Sequence, residues 1–211
     1  FEDLKYYLDY EKAPIAGFTP DCKYPVVYAE RGRAVIKVKA DLDHLITFMN
    51  KYILNTQNKG ERLGIDYKND EFGQLEIRNY HLTKEDFSFS ISYPAGITLE
   101  EILDQLNRIE GYEYEVVSHF KPVYFDKKAP MVEIMKETYE YVTGNDGTPV
   151  TTTGGTYAKM MPHIVPFGPS FPGQKGIGHN PNEWMTREDL ITNAKIYALT
   201  LYQLSRKETE L

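Results

Sequence analysis

Apolar positions along the chain divide it into three stretches. The middle stretch has the clearest pattern. Val35, Ile36 and Val38 predict a short strand, and Leu42, Leu45, Ile46, Met49 and Ile53 then recur at helical spacing. An Asn/Gly/Lys-rich loop follows around Asn55–Gly60, before an apolar stretch from Leu63 to Ile77. From Phe87 to Tyr93 the period is two: Phe87, Phe89 and Ile91 alternate with Ser88, Ser90 and Ser92. That alternation predicts a half-buried strand. Thr98-Leu99-Glu100-Glu101 has the form of a capping box. It opens a helix whose apolar face is Leu99, Ile102, Leu103, Leu106 and Ile109. Glu113 to Phe120 reads as a closing strand. Strand, helix, strands, helix and strand in that order predict a ferredoxin-like α+β sandwich over residues 33–120.

The flanking stretches read differently. Residues 1–32 begin with a Tyr-rich polar segment and run through Gly17-Phe18-Thr19-Pro20-Asp21 into Tyr24-Pro25-Val26-Val27-Tyr28. Two prolines around that apolar run predict an edge-like or irregular extended segment. In residues 121–211, Pro130 can occupy the first turn of a helix carrying Met131, Ile134, Met135 and Val142. A β-branched run from Val150 to Thr153 enters Gly154-Gly155-Thr156-Tyr157 and a short helix. Ile164 and Val165 are strand-like, and a Gly/Pro-rich loop spans Gly168–Asn182. Thr186-Arg187-Glu188-Asp189 can cap a last helix, whose expected face is Leu190, Ala194, Tyr197, Ala198 and Leu201. Strands alternating with helices predict part of an α/β layer.

Composition narrows the function more than the fold. A net charge of −7 points away from nucleic acid, which is bound through clustered Lys and Arg. It points, more weakly, away from an anionic membrane surface. No apolar run has the length of a membrane span. The single cysteine, Cys22, rules out an internal disulfide framework and a Cys-rich zinc site. A reducing, cytoplasmic setting fits best. The chain starts at Phe1 and reads as a fragment or processed product.

Candidate chemistry rests on a few residues. The histidines are His44, His81, His119, His163 and His179, and none forms an HExxH-type pair. His179 stands apart because it lies in the loop Gly176-Ile177-Gly178-His179-Asn180-Pro181-Asn182-Glu183-Trp184, leading into a helix. Loops on a rigid scaffold carry function more often than their share. Glu183 could orient the imidazole from behind, or be a solvated carboxylate at the positive end of the last helix. Free N–H groups of the Thr153-Gly154-Gly155-Thr156 turn could hold a carboxylate. Pattern alone favours a plain tight turn that needs positive φ. Asp21, after Pro20, is either a rigidly presented carboxylate or a turn former. Glu100-Glu101 reads as a solvated face of its capped helix.

Three segments together resemble the dinuclear zinc dipeptidases of the peptidase V and carnosinase-like type, within the co-catalytic metallopeptidases. They are Gly17–Asp21 running into Tyr24–Gly32, Thr153–Ala158, and Phe167-Gly168-Pro169 through His179-Asn180-Pro181-Asn182-Glu183 into the last helix. The resemblance implies an α/β catalytic domain with an inserted ferredoxin-like α+β lid. It divides the chain into a catalytic-domain segment at 1–32, a lid at 33–120 and a catalytic C-terminal segment at 121–211. It puts Asp21 at a terminal ligand of one zinc and His179 at a ligand of the other, manganese being the alternative metal. Thr153, Gly154, Gly155 and Thr156 fall near the carboxylate of a dipeptide or short-peptide substrate. In that family a water bridging two zincs attacks the peptide carbonyl while a glutamate shuttles the proton.

Departures from the family pattern matter as much. The upstream His-x-Asp, the bridging aspartate and the catalytic Glu-Glu pair do not occur, nor does the lid's Ser-Ala-His. Ser92-Tyr93-Pro94 replaces the family's Arg-Tyr-Pro, removing a cation. The resemblance therefore places no catalytic residue in this chain and leaves two metal ligands where two zincs need about five. The expectation is a metallo-dipeptidase fragment, inactive alone. The competing expectation is a non-catalytic lid, binding or homodimerisation module.

Overall fold

The computed structural model describes residues 2–174 and 178–206. The chain forms two compact units, one comprising the residues up to Ala29 and from Tyr124 onwards, the other Glu30–Val123. Its elements, in order, begin with helix α1 (Glu2–Tyr10) and the short strands β1 (Gly17–Thr19), β2 (Cys22–Lys23) and β3 (Val27–Glu30). Next come β4 (Gly32–Lys39), α2 (Leu42–Phe48), and the short hairpin of β5 (Lys68–Asn69) and β6 (Gly73–Gln74). They are followed by β7 (Glu76–Leu82), β8 (Asp86–Tyr93), α3 (Leu99–Leu106), β9 (Glu113–Phe120) and β10 (Val123–Tyr124). The last part holds α4 (Pro130–Thr143), β11 (Val150–Thr152), β12 (Ile164–Pro166), β13 (Pro169–Ser170) and α5 (Arg187–Arg206).

Glu30–Val123 is a ferredoxin-like sandwich. Its sheet has the order β7-β8-β4-β9, with β4 antiparallel to both neighbours. Ala34, Ile36 and Val38 of β4 and Phe87, Phe89 and Ile91 of β8 line one face and are fully buried. Leu45 and Phe48 from α2, and Leu99, Ile102 and Leu106 from α3, complete that core. Both helices start as the sequence directs. Asp41 accepts a hydrogen bond from the His44 N–H, and Thr98 and Glu101 form the reciprocal capping box. Gly32 is required by space, since a Cβ there would fall 2.4 Å from the Tyr93 ring.

The other unit is an α/β layer made of small sheets. β1 pairs with β12 and β2 with β13, both parallel, and β10-β3-β11 forms a third sheet. Helices α4 and α5 pack together over a core of Tyr24, Val26, Met131, Val132, Met135, Tyr139, Val165, Phe167 and Ile196. Tyr24 stacks on Tyr139 at 5.0 Å and meets Phe167 edge-on at 5.0 Å.

Two expectations change here, and one segment left without an assigned element gains one. The Tyr-rich opening is helical. The run after Pro25 is not an edge: β3 is the central strand of its sheet and all four of its residues are buried. Pro25 precedes the strand, so its missing N–H removes no ladder bond. The face of α5 is also rotated. Leu190 and Leu201 are 60% and 58% exposed, whereas Asn193, Ile196, Thr200 and Leu204 are buried. The amide of Asn193 sets this rotation. It accepts from the Tyr24 hydroxyl at 2.6 Å and donates to the Pro169 carbonyl at 3.2 Å, satisfying polar groups that would otherwise be orphaned in the core.

Candidate functional site

Asp21 lies in the bend between β1 and β2. Parallel pairing on either side fixes that bend: the Phe167 N–H donates to the Thr19 carbonyl at 3.0 Å, and the Gly168 N–H to the Lys23 carbonyl at 3.1 Å. Gly168, at φ 76°, allows the close passage. A side chain there would fall within 2.8 Å of both Tyr24 and Tyr197. Asp21 is exposed at the surface, yet the surrounding chain desolvates its carboxyl in part. Burial holds that carboxyl above the usual carboxylate range, and the His179 charge pulls it the other way. Asp21 and His179, far apart in sequence, are thus within electrostatic reach of each other.

His179 is exposed and has a left-handed backbone, at φ 61°. Its loop is tied to itself. The Glu183 carboxylate accepts from the main-chain N–H of His179 at 3.1 Å, the Glu183 N–H donates to the Asn180 carbonyl at 3.2 Å, and the Asn180 side chain donates to the Gly178 carbonyl at 3.0 Å. This Glu183 contact fixes the backbone on which the imidazole is mounted, not the imidazole itself. Lys175, Gly176 and Ile177 of the same loop lie outside the described residues.

The Thr153–Thr156 turn leaves Thr153, Gly154 and Gly155 exposed and Thr156 buried. Thr156 Oγ1 accepts from the Ala158 N–H at 3.2 Å and starts a 3₁₀ turn at Tyr157–Lys159. Neither Gly154 nor Gly155 has a positive φ, so the plain-turn explanation for these glycines does not hold. Sequence reasoning passed over two residues here. The Tyr157 hydroxyl bonds to Asp3 of α1; that bond raises its pKa, and Asp21 adds to the effect. Tyr157 stood inside a quoted motif, while Asp3 gave no signal in a segment whose helix was not foreseen.

The remaining histidines take ordinary places. His44 pairs with Asp41 at 2.7 Å on an exposed helix end. His119 bonds to the buried Tyr93 hydroxyl, whose pKa burial pushes up to about 12. His81 and His163 are exposed. Among the described residues, no group of three or more His, Cys, Asp or Glu is arranged to hold a metal ion.

The comparisons with known proteins agree with one another. The sequence model of peptidase family M20/M25/M40 matches residues 12–203. A candidate dipeptidase of Staphylococcus aureus strain USA300 is 28% identical over 198 residues, covering 87% of this chain and 42% of that protein. The crystal structure of a tripeptidase from Staphylococcus aureus superposes with a TM-score of 0.64 at 16% identity, over 92% of this chain and 58% of that one. Human carnosine dipeptidase 1 gives a TM-score of 0.57 at 12% identity, with the same coverages, 92% and 58%. At such identities the structural likeness speaks for the fold. The chain spans less than half the length of the curated relatives it matches.

Proposed function

This chain belongs to peptidase family M20/M25/M40, and on that premise we propose that it is the C-terminal part of a metallo-dipeptidase acting on dipeptides or short peptides. What supports the reading is that Asp21 and His179 fall in the same α/β unit, where the His179 charge favours ionisation of the Asp21 carboxyl against its burial. A carboxylate and an imidazole from opposite ends of the chain come within electrostatic reach in one α/β unit. Carboxylate and imidazole suit a divalent metal, and zinc is the ion we assign, with manganese as the alternative. These two donors alone do not fit a complete centre, which takes about four ligands per zinc. The missing donors belong, in this reading, to the portion of the relatives' length that the chain does not span. The ferredoxin-like unit takes the role of the inserted lid, and Thr153–Thr156 that of a substrate-carboxylate turn. A cytoplasmic setting is part of the same proposal. Among the described residues, no helix is long and apolar enough to cross a membrane.

Metal content and hydrolysis of L-alanyl-L-alanine test this. The 211-residue chain alone is expected to hold no stoichiometric zinc and to show no turnover. In a polypeptide that also carries the missing donors, Asp21→Ala and His179→Ala should each lower the rate by roughly 100-fold or more. Wild-type rate and metal content in both variants would show that the metal ligands lie elsewhere.

A further inference from the structure

Asp189 and Asn193 lie four residues apart in α5, which puts them on one face of the helix, a turn from each other. Asp189 is half-buried and Asn193 is buried. The Asp189 carboxylate accepts from the Gln174 side-chain amide at 2.9 Å. Gln174, just before the His179 loop, is closed onto Phe171 by two further bonds. Its side-chain oxygen accepts from the Phe171 N–H at 3.0 Å, and its own N–H donates to the Phe171 carbonyl at 3.1 Å. The main-chain N–H of Asp189 donates to Thr186 Oγ1 at 2.9 Å, so the carboxylate stands on a capped turn.

Asn193 has three arms. Its oxygen accepts from the Tyr24 hydroxyl at 2.6 Å, and its nitrogen donates to the Pro169 carbonyl at 3.2 Å and to Met185 Sδ at 3.7 Å. Two of these arms hold the strand pair that opens just after Asp21. Tyr24 follows β2 and Pro169 starts β13, and the pair is closed by the Cys22 N–H to the Gly168 carbonyl at 2.6 Å and the Tyr24 N–H to the Ser170 carbonyl at 2.8 Å. The third arm reaches Met185, just after the His179 loop. Only an amide supplies two N–H donors and an acceptor oxygen on so short a side chain. One face of α5 thus touches both sides of the His179 loop and both strands beside Asp21.

We propose that Asp189 and Asn193 are positioning residues, which mount the Asp21 bend and the His179 loop on α5 and so set the separation of the carboxylate from the imidazole. The proposal rests on the metallo-dipeptidase reading above and adds to it the part of the fold that holds the two donors ready. Neither residue touches metal or substrate in this assignment. Glu183 braces the His179 loop within itself, whereas Asp189 and Asn193 fasten it to the helix. Exposed donors on separate loops serve one ion well only when a rigid element fixes them beforehand, and outer partners of metal ligands act in this way.

The first test is two-dimensional NMR of the isotope-labelled 211-residue chain with a chelator present, read at Asp21 and His179. Asp189→Ala is expected to shift the His179 resonances, Tyr24→Phe those of Asp21, and Asn193→Ala both. Two variants of α5 serve as controls. Glu188→Ala removes an exposed first-turn charge, and Thr200→Val removes a buried hydroxyl with no hydrogen-bond partner among the described residues. Neither control should move Asp21 or His179. Should Asn193→Ala fail to fold, Tyr24→Phe and Asp189→Ala carry the test. The second test measures zinc affinity in a polypeptide that also carries the missing donors. Asp189→Ala and Tyr24→Phe should each weaken zinc about 10-fold, leave KM for L-alanyl-L-alanine unchanged at saturating zinc, and Asp189→Asn, which keeps an acceptor for Gln174, should restore the affinity. The proposal is overturned if the controls move Asp21 and His179 as much as the mount variants do, or if those variants bind zinc as the wild type does. Shifts as expected in the metal-free chain, with no zinc bound by the longer wild-type polypeptide, would remove the metallo-dipeptidase reading and with it the purpose of the mount.

Discussion

The two units of this chain solve the burial problem in opposite ways. Glu30–Val123 closes on itself. Four of its strands form one antiparallel sheet, two capped helices contribute to the core on one face, and that core draws on β4, β8, α2 and α3. The α/β unit divides its strands among three small sheets, two of them parallel pairs. Parallel strands are ordinarily found inside larger sheets covered on both faces. Its last helix also leaves Leu190, Ile191, Leu201 and Tyr202 exposed. Yet this unit holds Asp21, His179 and the glycine turn. The self-sufficient unit is thus the one without candidate metal donors, and the unit with the donors is the one whose secondary structure calls for more polypeptide. That contrast fits a chain spanning less than half the length of its curated relatives.

The sharpest way to break the contrast is to damage each core separately. Phe89 is fully buried in the ferredoxin-like sheet, and Phe89→Ala should cost about 3–5 kcal/mol. Ile196 is fully buried under α5, and Ile196→Ala should cost about 2–4 kcal/mol. Amide hydrogen exchange along the chain reads the two effects apart. Phe89→Ala should release protection in β4, β8 and α3 and leave α4 largely protected, and Ile196→Ala should do the reverse. Equal loss of protection throughout both units by either variant would show a single cooperative structure.

A smaller effect concerns charge in the self-sufficient unit. Arg31, nearly buried, pairs with Glu76 at 3.4 Å, and Arg78 donates to the same carboxylate. Partial burial opposes ionisation of Glu76, but the two guanidinium groups prevail and lower its pKa below 4.5. A depressed carboxylate pKa contributes stability that is present above the unfolded value and is lost as pH falls through the folded one. Urea unfolding of the wild type should therefore weaken as pH drops below 4.5. Glu76→Gln should be less stable at pH 7 and should flatten that acid limb. An unchanged limb would mean that the pair is solvent-screened.

The sequence made the ferredoxin-like unit legible because its signals were local. Alternating Phe and Ser in β8, the Thr98–Glu101 box and the run from Glu113 to Phe120 each name an element without help from distant residues. The α/β unit resisted for the opposite reason. A four-residue strand buried throughout has no period to read, so β3 looked like an edge. The buried face of α5 includes Asn193 and Thr200, polar residues that hydropathy assigns to solvent. The hydroxyl of Tyr24 and the carbonyl of Pro169, both far from Asn193 in sequence, explain why it turns inward. The candidate site was half legible. Motif order singled out Asp21, His179 and the glycine turn, but Asp3 and the mount on α5 depend on how the chain folds back.

The smallest expected effect is also the most pointed. If the exposed face of α5 is a surface without a partner in this chain, charges on it should be nearly harmless here. Leu190→Glu with Leu201→Glu should change the stability of the 211-residue chain by no more than about 0.5 kcal/mol, as for other exposed positions. The same pair in a longer polypeptide carrying the rest of the family's catalytic domain should lose about 2 kcal/mol or more, because burying an unpaired carboxylate is costly. Thermal unfolding of both proteins gives the answer. A large loss in the short chain would mean that α5 already packs its second face, and the α/β unit would then be as self-sufficient as its neighbour. Equal, small losses in both would leave the Leu190–Leu201 face to solvent, and the contrast between the units would rest on their sheets alone.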